Sequence, residues 1–320
     1  MYTIGIDLGG TNIAVGIVDS GMHILLKDSV PTALPRSAEE IVVDMAALTR
    51  SLLRRASISM EEIKWVGVGA PGTANAETGT IEYANNLGFR NVPLVELLKK
   101  ELGKTVYIEN DANAAAYGEY RAGAVKDAES AVVITLGTGV GGGIVLNGRL
   151  LEGFNYAGAE IGHTVIEYGG RECTCGRRGC WEAYASASGL IAITREAMQI
   201  HRDSAMWEIA GLLENVNGKT AFDAMRAGDA AGSAVVNTYL NYLGCGIVNI
   251  INIFQPELIC LGGGICKEGD NLIKPLEAFI EKEHYSRFAQ KQTKLRIAKL
   301  GNDAGIIGAA LLGELYEDRV

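Results

Sequence analysis

The chain has 320 residues, enough for two domains of ordinary size, and 48% of them are hydrophobic, which excludes a disordered or fibrous polymer and points to an α/β globule. Lysine and arginine total 29 against 38 aspartate and glutamate, a formal charge of -9. No basic run could track a phosphate backbone, so the sequence argues against nucleic acid as a partner.

Met1 leads directly into the strand-like Tyr2-Thr3-Ile4-Gly5-Ile6, without the basic and apolar regions of a secretory signal. A glycine turn follows, within Ile4-Gly-Ile-Asp-Leu-Gly-Gly-Thr-Asn12, and then a second β-branched run, Ile13 to Val18. The pattern from Ser37 to Ala56 predicts a helix, Trp65 to Gly69 a buried strand, and Ala70-Pro71-Gly72 a turn. Val106 to Ile108 predicts a strand that runs into Glu109-Asn110-Asp111, with a helix from Ala112 to Ala122, so Asp111 falls where strand hands over to helix.

A second strand, glycine turn and strand comes about 130 residues after the first, in Val133-Ile-Thr-Leu-Gly-Thr-Gly-Val-Gly-Gly-Gly143. The repetition predicts a duplicated α/β unit, one copy per domain, with a ligand cleft between the copies. Further helices are expected over Ser188 to His201 and Ala230 to Phe254, a strand over Leu258 to Leu261 ending in Gly262-Gly263-Gly264, and a last helix from Ala304 that packs back on the first domain. The expected division is a small domain over 1–110, completed by the helix at 304–320, and a large domain over 111–303. The stretch Ala230 to Pro256 carries no charge, but Asn237, Asn241, Asn249, Asn252 and Gln255 give it a polar load that fits a helix buried between protein layers, not a membrane span.

The densest chemistry lies at His163, Cys173, Cys175 and Cys180, an imidazole and three thiols in the pattern H-x9-C-x-C-x4-C. Three thiolates and one imidazole complete a tetrahedral zinc shell with no position left for a reacting water, so the metal is expected to hold a loop in shape. Gly169, Gly170, Gly176 and Gly179 let the loop turn tightly, and Glu160 and Glu182 flank the ligands, so a zinc knot would fix two carboxylates in space. A disulfide between Cys173 and Cys175 is disfavoured, because one intervening residue strains the bridge. Thiolate ligation fits a reducing cytoplasm.

Each glycine turn can present backbone N–H groups to phosphate oxygens. Gly9, Gly10, Thr11 and Asn12 in the first turn and Gly137, Thr138 and Gly139 in the second are thus candidates for gripping a triphosphate, and Asp7 could hold Mg2+ through water. No P-loop sequence is present, and although Gly137 to Gly142 fits G-x-G-x-x-G, β-type residues follow it where a dinucleotide fold needs a helix. Asp111 is the candidate general base for phosphoryl transfer to an alcohol. Asn85, Asn86, Asn110, Glu160, His163 and Glu182 are donors and acceptors suited to a ring of hydroxyls, and a His163 ring that binds zinc through one nitrogen could offer the other to a sugar.

Several segments together carry a resemblance that runs essentially from end to end: Asp7-Leu-Gly-Gly-Thr11, Ala70-Pro-Gly72, Glu109-Asn-Asp111, Leu136-Gly-Thr-Gly139, Glu160-Ile-Gly-His163, Cys173-Thr-Cys-Gly-Arg-Arg-Gly-Cys-Trp-Glu182 and Leu261-Gly-Gly-Gly264. The chain resembles the ROK group (repressor, open reading frame, kinase), most of all its glucokinases, within the actin-like and hexokinase-like ATPases of ribonuclease H-like fold. The resemblance implies a two-domain α/β fold and transfer of a phosphoryl group from ATP to the O6 of a hexose, with Mg2+ on the phosphates and domain closure excluding water. It implies that Asp111 takes the O6 proton, that Asn110, Glu160, His163 and Glu182 hold the sugar with Gly72, Asn85 and Asn86 alongside, and that Gly262 and Gly263 border the adenosine. Structural zinc on His163, Cys173, Cys175 and Cys180, and a dimer or tetramer of identical chains, are implied as well.

Three rival readings stay within this resemblance. Another hexose could be the acceptor: N-acetylmannosamine, N-acetylglucosamine, allose or fructose. Polyphosphate could be the donor, but that reading expects a basic groove that an acidic chain does not advertise. A sugar-binding repressor would carry a helix-turn-helix of roughly 70 to 80 residues ahead of the first turn, and here that turn begins at residue 9.

Overall fold

The computed structural model describes residues 1–317. In chain order they begin with β1 (Tyr2–Leu8), β2 (Asn12–Val18), β3 (Ile24–Pro31), α1 (Ala38–Ala56), β4 (Ile63–Ala70) and β5 (Thr73–Asn75). Next come β6 (Thr80–Ala84), β7 (Phe89–Val92), α2 (Leu94–Leu102), β8 (Val106–Asn110), α3 (Asp111–Ala122), β9 (Ala131–Leu136), β10 (Val140–Leu146) and β11 (Arg149–Leu150). The rest is mainly helical: α4 (Glu182–Ala185), α5 (Ala187–Ile200), α6 (Met206–Ala210), α7 (Thr220–Arg226), α8 (Ala230–Phe254), β12 (Leu258–Gly263), α9 (Asp270–Glu283), β13 (Lys294–Ile297), α10 (Ala304–Ala310) and α11 (Leu312–Glu317).

These elements form two compact units. Met1–Ala131, Gly143–Ala159 and Lys299 onward make the first, and Val132–Gly142 with Glu160–Ala298 make the second.

The first unit is built on the sheet β3-β2-β1-β4-β8, antiparallel across β3, β2 and β1 and parallel from β1 through β4 to β8. The middle of β1, most of β2 and nearly all of β4 are buried, as a sheet covered on both faces requires. One cover is α1, whose apolar stripe of Ile41, Val42, Met45, Leu48, Leu52 and Leu53 is buried. Its start is set by a capping box, in which Ser37 Oγ accepts the Glu40 N–H and Glu40 Oε2 accepts the Ser37 N–H at 2.9 Å. α10 covers the other side, packing on β1, β4 and α3.

α3 clusters with the first unit. The reason is the closeness of α3 to α10: a Cβ on Gly308 would sit 1.7 Å from the Ala114 carbonyl oxygen, so only glycine lets the two backbones meet.

The expected last helix is broken after Ala310. Trp65 Nε1 donates to the Ala310 carbonyl at 2.8 Å, and the Glu314 N–H turns to Leu311 instead of Ala310. The indole thus takes the acceptor that a continuous helix would use. Asp318, Arg319 and Val320, included in the expected 304–320 helix, lie outside the described residues.

The second five-stranded sheet has the order β11-β10-β9-β12-β13, with β12 and β13 parallel; of it, β9 from Val132, β10 up to Gly142, β12 and β13 belong to the second unit. α8 is long and apolar enough to cross a membrane by composition, yet 61% of its most apolar window is buried, and it packs against α4, α5, α7 and α9. It is the core helix of this unit, as its asparagines suggest.

Candidate functional site

In the first unit, β1 delivers Asp7 to the glycine turn at Gly9-Gly10. The turn is pinned from inside: the Gly9 N–H donates to Asn12 O at 2.9 Å, Thr32 Oγ1 donates to Gly9 O at 2.7 Å, and the Thr32 N–H donates to Thr11 O at 2.8 Å. Thr11 and Asn12 stay exposed. Asn86 lies beside Gly10, and Asn85 Oδ1 accepts the Tyr83 hydroxyl at 3.2 Å.

Asp111 stands at the junction of β8 and α3. Asn110 caps the helix, its Oδ1 accepting the Ala112 N–H at 2.9 Å and the Asn113 N–H at 3.1 Å. Its Nδ2 donates to Gly72 O at 3.1 Å. Asn110 is therefore first a residue that fixes the α3 entry, with one amide hydrogen left to offer a ligand. Asp111 Oδ1 accepts the Ala112 N–H at 2.8 Å. Burial pushes the Asp111 carboxyl above the ordinary aspartate range, outweighing that hydrogen bond. Burial, and then the neighbouring Asp111, push Asp7 up to about 6. A buried carboxyl raised by a second one beside it makes a site that suits a cation.

In the second unit, the Gly137 N–H donates to Gly139 O at 3.0 Å. The Gly137 and Thr138 carbonyls are tied back to α5 by the Ala187 N–H at 2.9 Å and by Ser188 Oγ at 2.8 Å. Gly262 and Gly263 end β12, and Gly263 lies against the Leu136 backbone.

The proposed ligand set is assembled here. The ligand atoms of His163, Cys173, Cys175 and Cys180 all lie within 4.8 Å of one another. His163 Nδ1 is 3.6 Å from Cys173 Sγ, and Cys175 Sγ is 3.7 Å from Cys180 Sγ. Burial, followed by the Cys175 and Cys173 thiols, pushes Cys180 up to about 12. A shared cation is what would let such crowded thiols ionise together, so the chemistry of the donors fits zinc. The His163 ring turns Nε2 the other way, to 3.9 Å from Glu160 Oε2.

Glu182 Oε2 accepts the Val140 N–H at 2.9 Å, while its Oε1 lies 3.7 Å from Cys173 Sγ and 3.4 Å from Thr174 Oγ1. Trp181, fully buried beside it, donates Nε1 to Tyr242 O at 2.9 Å and so nails the end of the loop to α8.

Sequence reasoning gave no role to one further group. Glu109 is 2% exposed, and Tyr316 Oη lies 2.7 Å from Glu109 Oε2 and 3.0 Å from Glu152 Oε1. Burial, and then Glu152, push Glu109 up to about 8. The available signal was a glutamate at the end of an apolar strand; nothing local points to Glu152 or Tyr316.

The model of the ROK family matches residues 3–314. The chain belongs to the ROK family. This ROK chain is 39% identical to a glucokinase of Halalkalibacterium halodurans over 99% of its own length and 96% of that protein's. It superposes with a TM-score of 0.83, at 33% identity, on a ROK family glucokinase from Streptomyces griseus solved in complex with glucose and AMPPNP, covering 98% of this chain and 99% of that one. A xylose repressor of Bacillus subtilis is more distant, 26% identical over 96% of this chain and 75% of the repressor. The mixed α/β, two-domain, actin-like fold expected from the sequence is the fold the ROK chain has.

Proposed function

We propose that this ROK chain is an ATP-dependent hexose 6-kinase and that its hexose is glucose. The observation that carries the reading is the near full-length likeness to a glucokinase solved with glucose and AMPPNP. The raised Asp111 carboxyl at the β8–α3 junction supports it from the chain's own chemistry. A base whose pKa lies closer to neutrality transfers a proton more effectively at the moment of attack.

In this reading Asp111 accepts the O6 proton as O6 attacks the γ-phosphorus, the bond from that phosphorus to the β–γ bridging oxygen breaks, and ADP leaves. Gly72, Asn85, Asn86, Asn110, Glu160, His163 and Glu182 read the sugar hydroxyls. Gly9, Gly10, Thr11 and Asn12, with Gly137, Thr138 and Gly139, take the phosphates, and Gly262 and Gly263 border the adenosine. Mg2+, when bound, offsets the charge on the phosphates; Asp7, already crowded by Asp111, would hold it through water. His163, Cys173, Cys175 and Cys180 would hold zinc, which would keep the loop shaped so that His163 Nε2 and Glu160 stay together. Such a site belongs in a reducing cytoplasm.

The test is ADP release from ATP and Mg2+ with glucose, mannose, allose, fructose, N-acetylmannosamine or N-acetylglucosamine, against a control without sugar. Turnover favouring glucose is expected. Preference for another sugar would keep the mechanism and change the substrate; sugar binding without turnover, with polyphosphate also inactive, would overturn the kinase reading in favour of a sensor.

A further inference from the structure

We propose that the hollow between the β2–β3 turn, the end of α3 and the entry to α10 binds a phosphate monoester carried on a small apolar body. The hollow holds about 580 Å³, a size that suits a small molecule, and every residue lining it belongs to the first unit. Met22, Leu300 and Ile307 give it apolar surface, and Arg121, Lys126 and Lys299 give it positive charge. In a chain of net charge -9, an excess of cations at one hollow is not what composition alone would place there.

Charge counting isolates the two lysines. Asp303, the one carboxylate among the described lining residues, pairs with Lys27, which does not line the hollow. Arg121 is matched by Glu314 at 2.7 Å, and His23 Nδ1 lies 3.5 Å from Asp19 Oδ1. Lys126 and Lys299 remain, and among the described residues neither ammonium has an ion-pair partner.

The walls are held by the chain's own hydrogen bonds. Glu119 is 1% exposed; its Oε2 accepts the Ala124 N–H at 2.6 Å and the Lys299 N–H at 3.2 Å, and its Oε1 accepts the Leu300 N–H at 2.7 Å. One buried carboxylate thus clamps the stretch that carries Lys126 to the stretch that carries Lys299. On the third side, Asp19 Oδ1 accepts the Gly21 N–H at 2.8 Å and the His23 N–H at 2.9 Å, and the Asp19 N–H donates to His23 O at 3.0 Å. A ligand entering a hollow whose backbone is already fixed gives up little free energy to ordering it.

The ligand class follows from charge and lining together. Two unmatched ammoniums call for about two negative charges, which a phosphate monoester brings on one group near neutral pH, and lysine serves phosphate as a point charge. The apolar side chains take the carbon skeleton. The hollow is also separate from the first glycine turn: β2 starts at Asn12 beside that turn and ends at Val18 beside Asp19, about 20 Å of strand. None of its lining residues has a part in the kinase reading.

The experiment is calorimetric titration of the full chain with phenyl phosphate at fixed ionic strength, in the presence of AMPPNP and Mg2+ so that phosphate sites for nucleotide are already competed. A single saturable site is expected. Lys126→Ala with Lys299→Ala is expected to weaken it by about tenfold or more, whereas Lys291→Ala with Lys294→Ala, which removes the same charge from the second unit, is expected to leave it unchanged. No saturable binding, an equal loss in both double variants, or full binding in Lys126→Ala with Lys299→Ala would overturn the site. Succinate binding as tightly as phenyl phosphate would overturn the phosphate ester as its ligand. Should the first double variant fail to fold, amide NMR of the wild type decides: shifts on adding phenyl phosphate grouped at Met22, Ala122 and Leu300 support the site, and shifts confined elsewhere overturn it.

Discussion

The carboxylate of Glu182 accepts the backbone N–H of Val140 at 2.9 Å, which joins the end of the thiol loop to the second glycine turn. A Cβ on Gly139 would meet that carboxylate at 2.2 Å, so glycine at this position is what lets the two segments touch. The turn's shape and the loop's shape are thereby one property.

Glu182→Gln is expected to weaken nucleotide binding as well as sugar binding. Exchanging a charged acceptor for a neutral one costs about 1 to 2 kcal/mol here, which is roughly tenfold in affinity. Calorimetric titration with AMPPNP alone would check it; a loss confined to sugar would separate the loop from the turn.

Asp111→Ala is expected to leave sugar affinity within a few-fold and to lower kcat by about two orders of magnitude or more. Steady-state kinetics beside direct sugar titration measures the two effects separately. A variant with near-full turnover would remove Asp111 from the role of base.

Asp7 and Asp111 are expected to set the acid limb of the pH profile. Asp7 is pushed up to about 6 and Asp111 is also raised, so kcat/KM is expected to fall at a pH well above the ordinary aspartate range. The same shift costs stability: Asp7 begins to lose stability for the fold as pH rises past 3.8, and the loss is complete above about 6. Asp7→Asn is therefore expected to raise stability by about 2 to 3 kcal/mol at pH 7.5 while impairing catalysis. Denaturant melts at pH 7.5 and pH 4 would show the gain only at the higher pH.

One zinc per chain is expected by metal analysis. Cys175→Ser, or a strong chelator, is expected to release it, lower the melting temperature and weaken sugar binding through disorder of the loop. Unchanged sugar affinity in the metal-free protein would uncouple the loop from the sugar.

Gly308→Ala is expected to destabilise the first unit by about 2 to 3 kcal/mol, since its Cβ would fall 1.7 Å from the Ala114 carbonyl oxygen. A thermal melt checks this without reference to activity.

What was legible in the chain was local. The start of α1 was written in Ser37 and Glu40, three residues apart, and α8 in an uncharged run whose asparagines told core from membrane. The ligand cluster was legible for the same reason: four donors within eighteen residues have little freedom to end far apart. Its orientation was not, because which nitrogen of His163 faces the thiols depends on how the loop closes.

The sequence by itself determined the two glycine turns, the strand-to-helix seat of Asp111, the metal-ligand set and the family, because each is carried by residues close together in the chain. Only the tertiary structure decided that Trp65 interrupts the last helix at Ala310, that Glu182 reaches Val140, and that Tyr316 closes on Glu109 and Glu152. Those contacts join positions from about forty to more than two hundred residues apart. Side-chain periodicity carries no information about such partners; packing and the need to satisfy buried polar atoms select them once the elements have met.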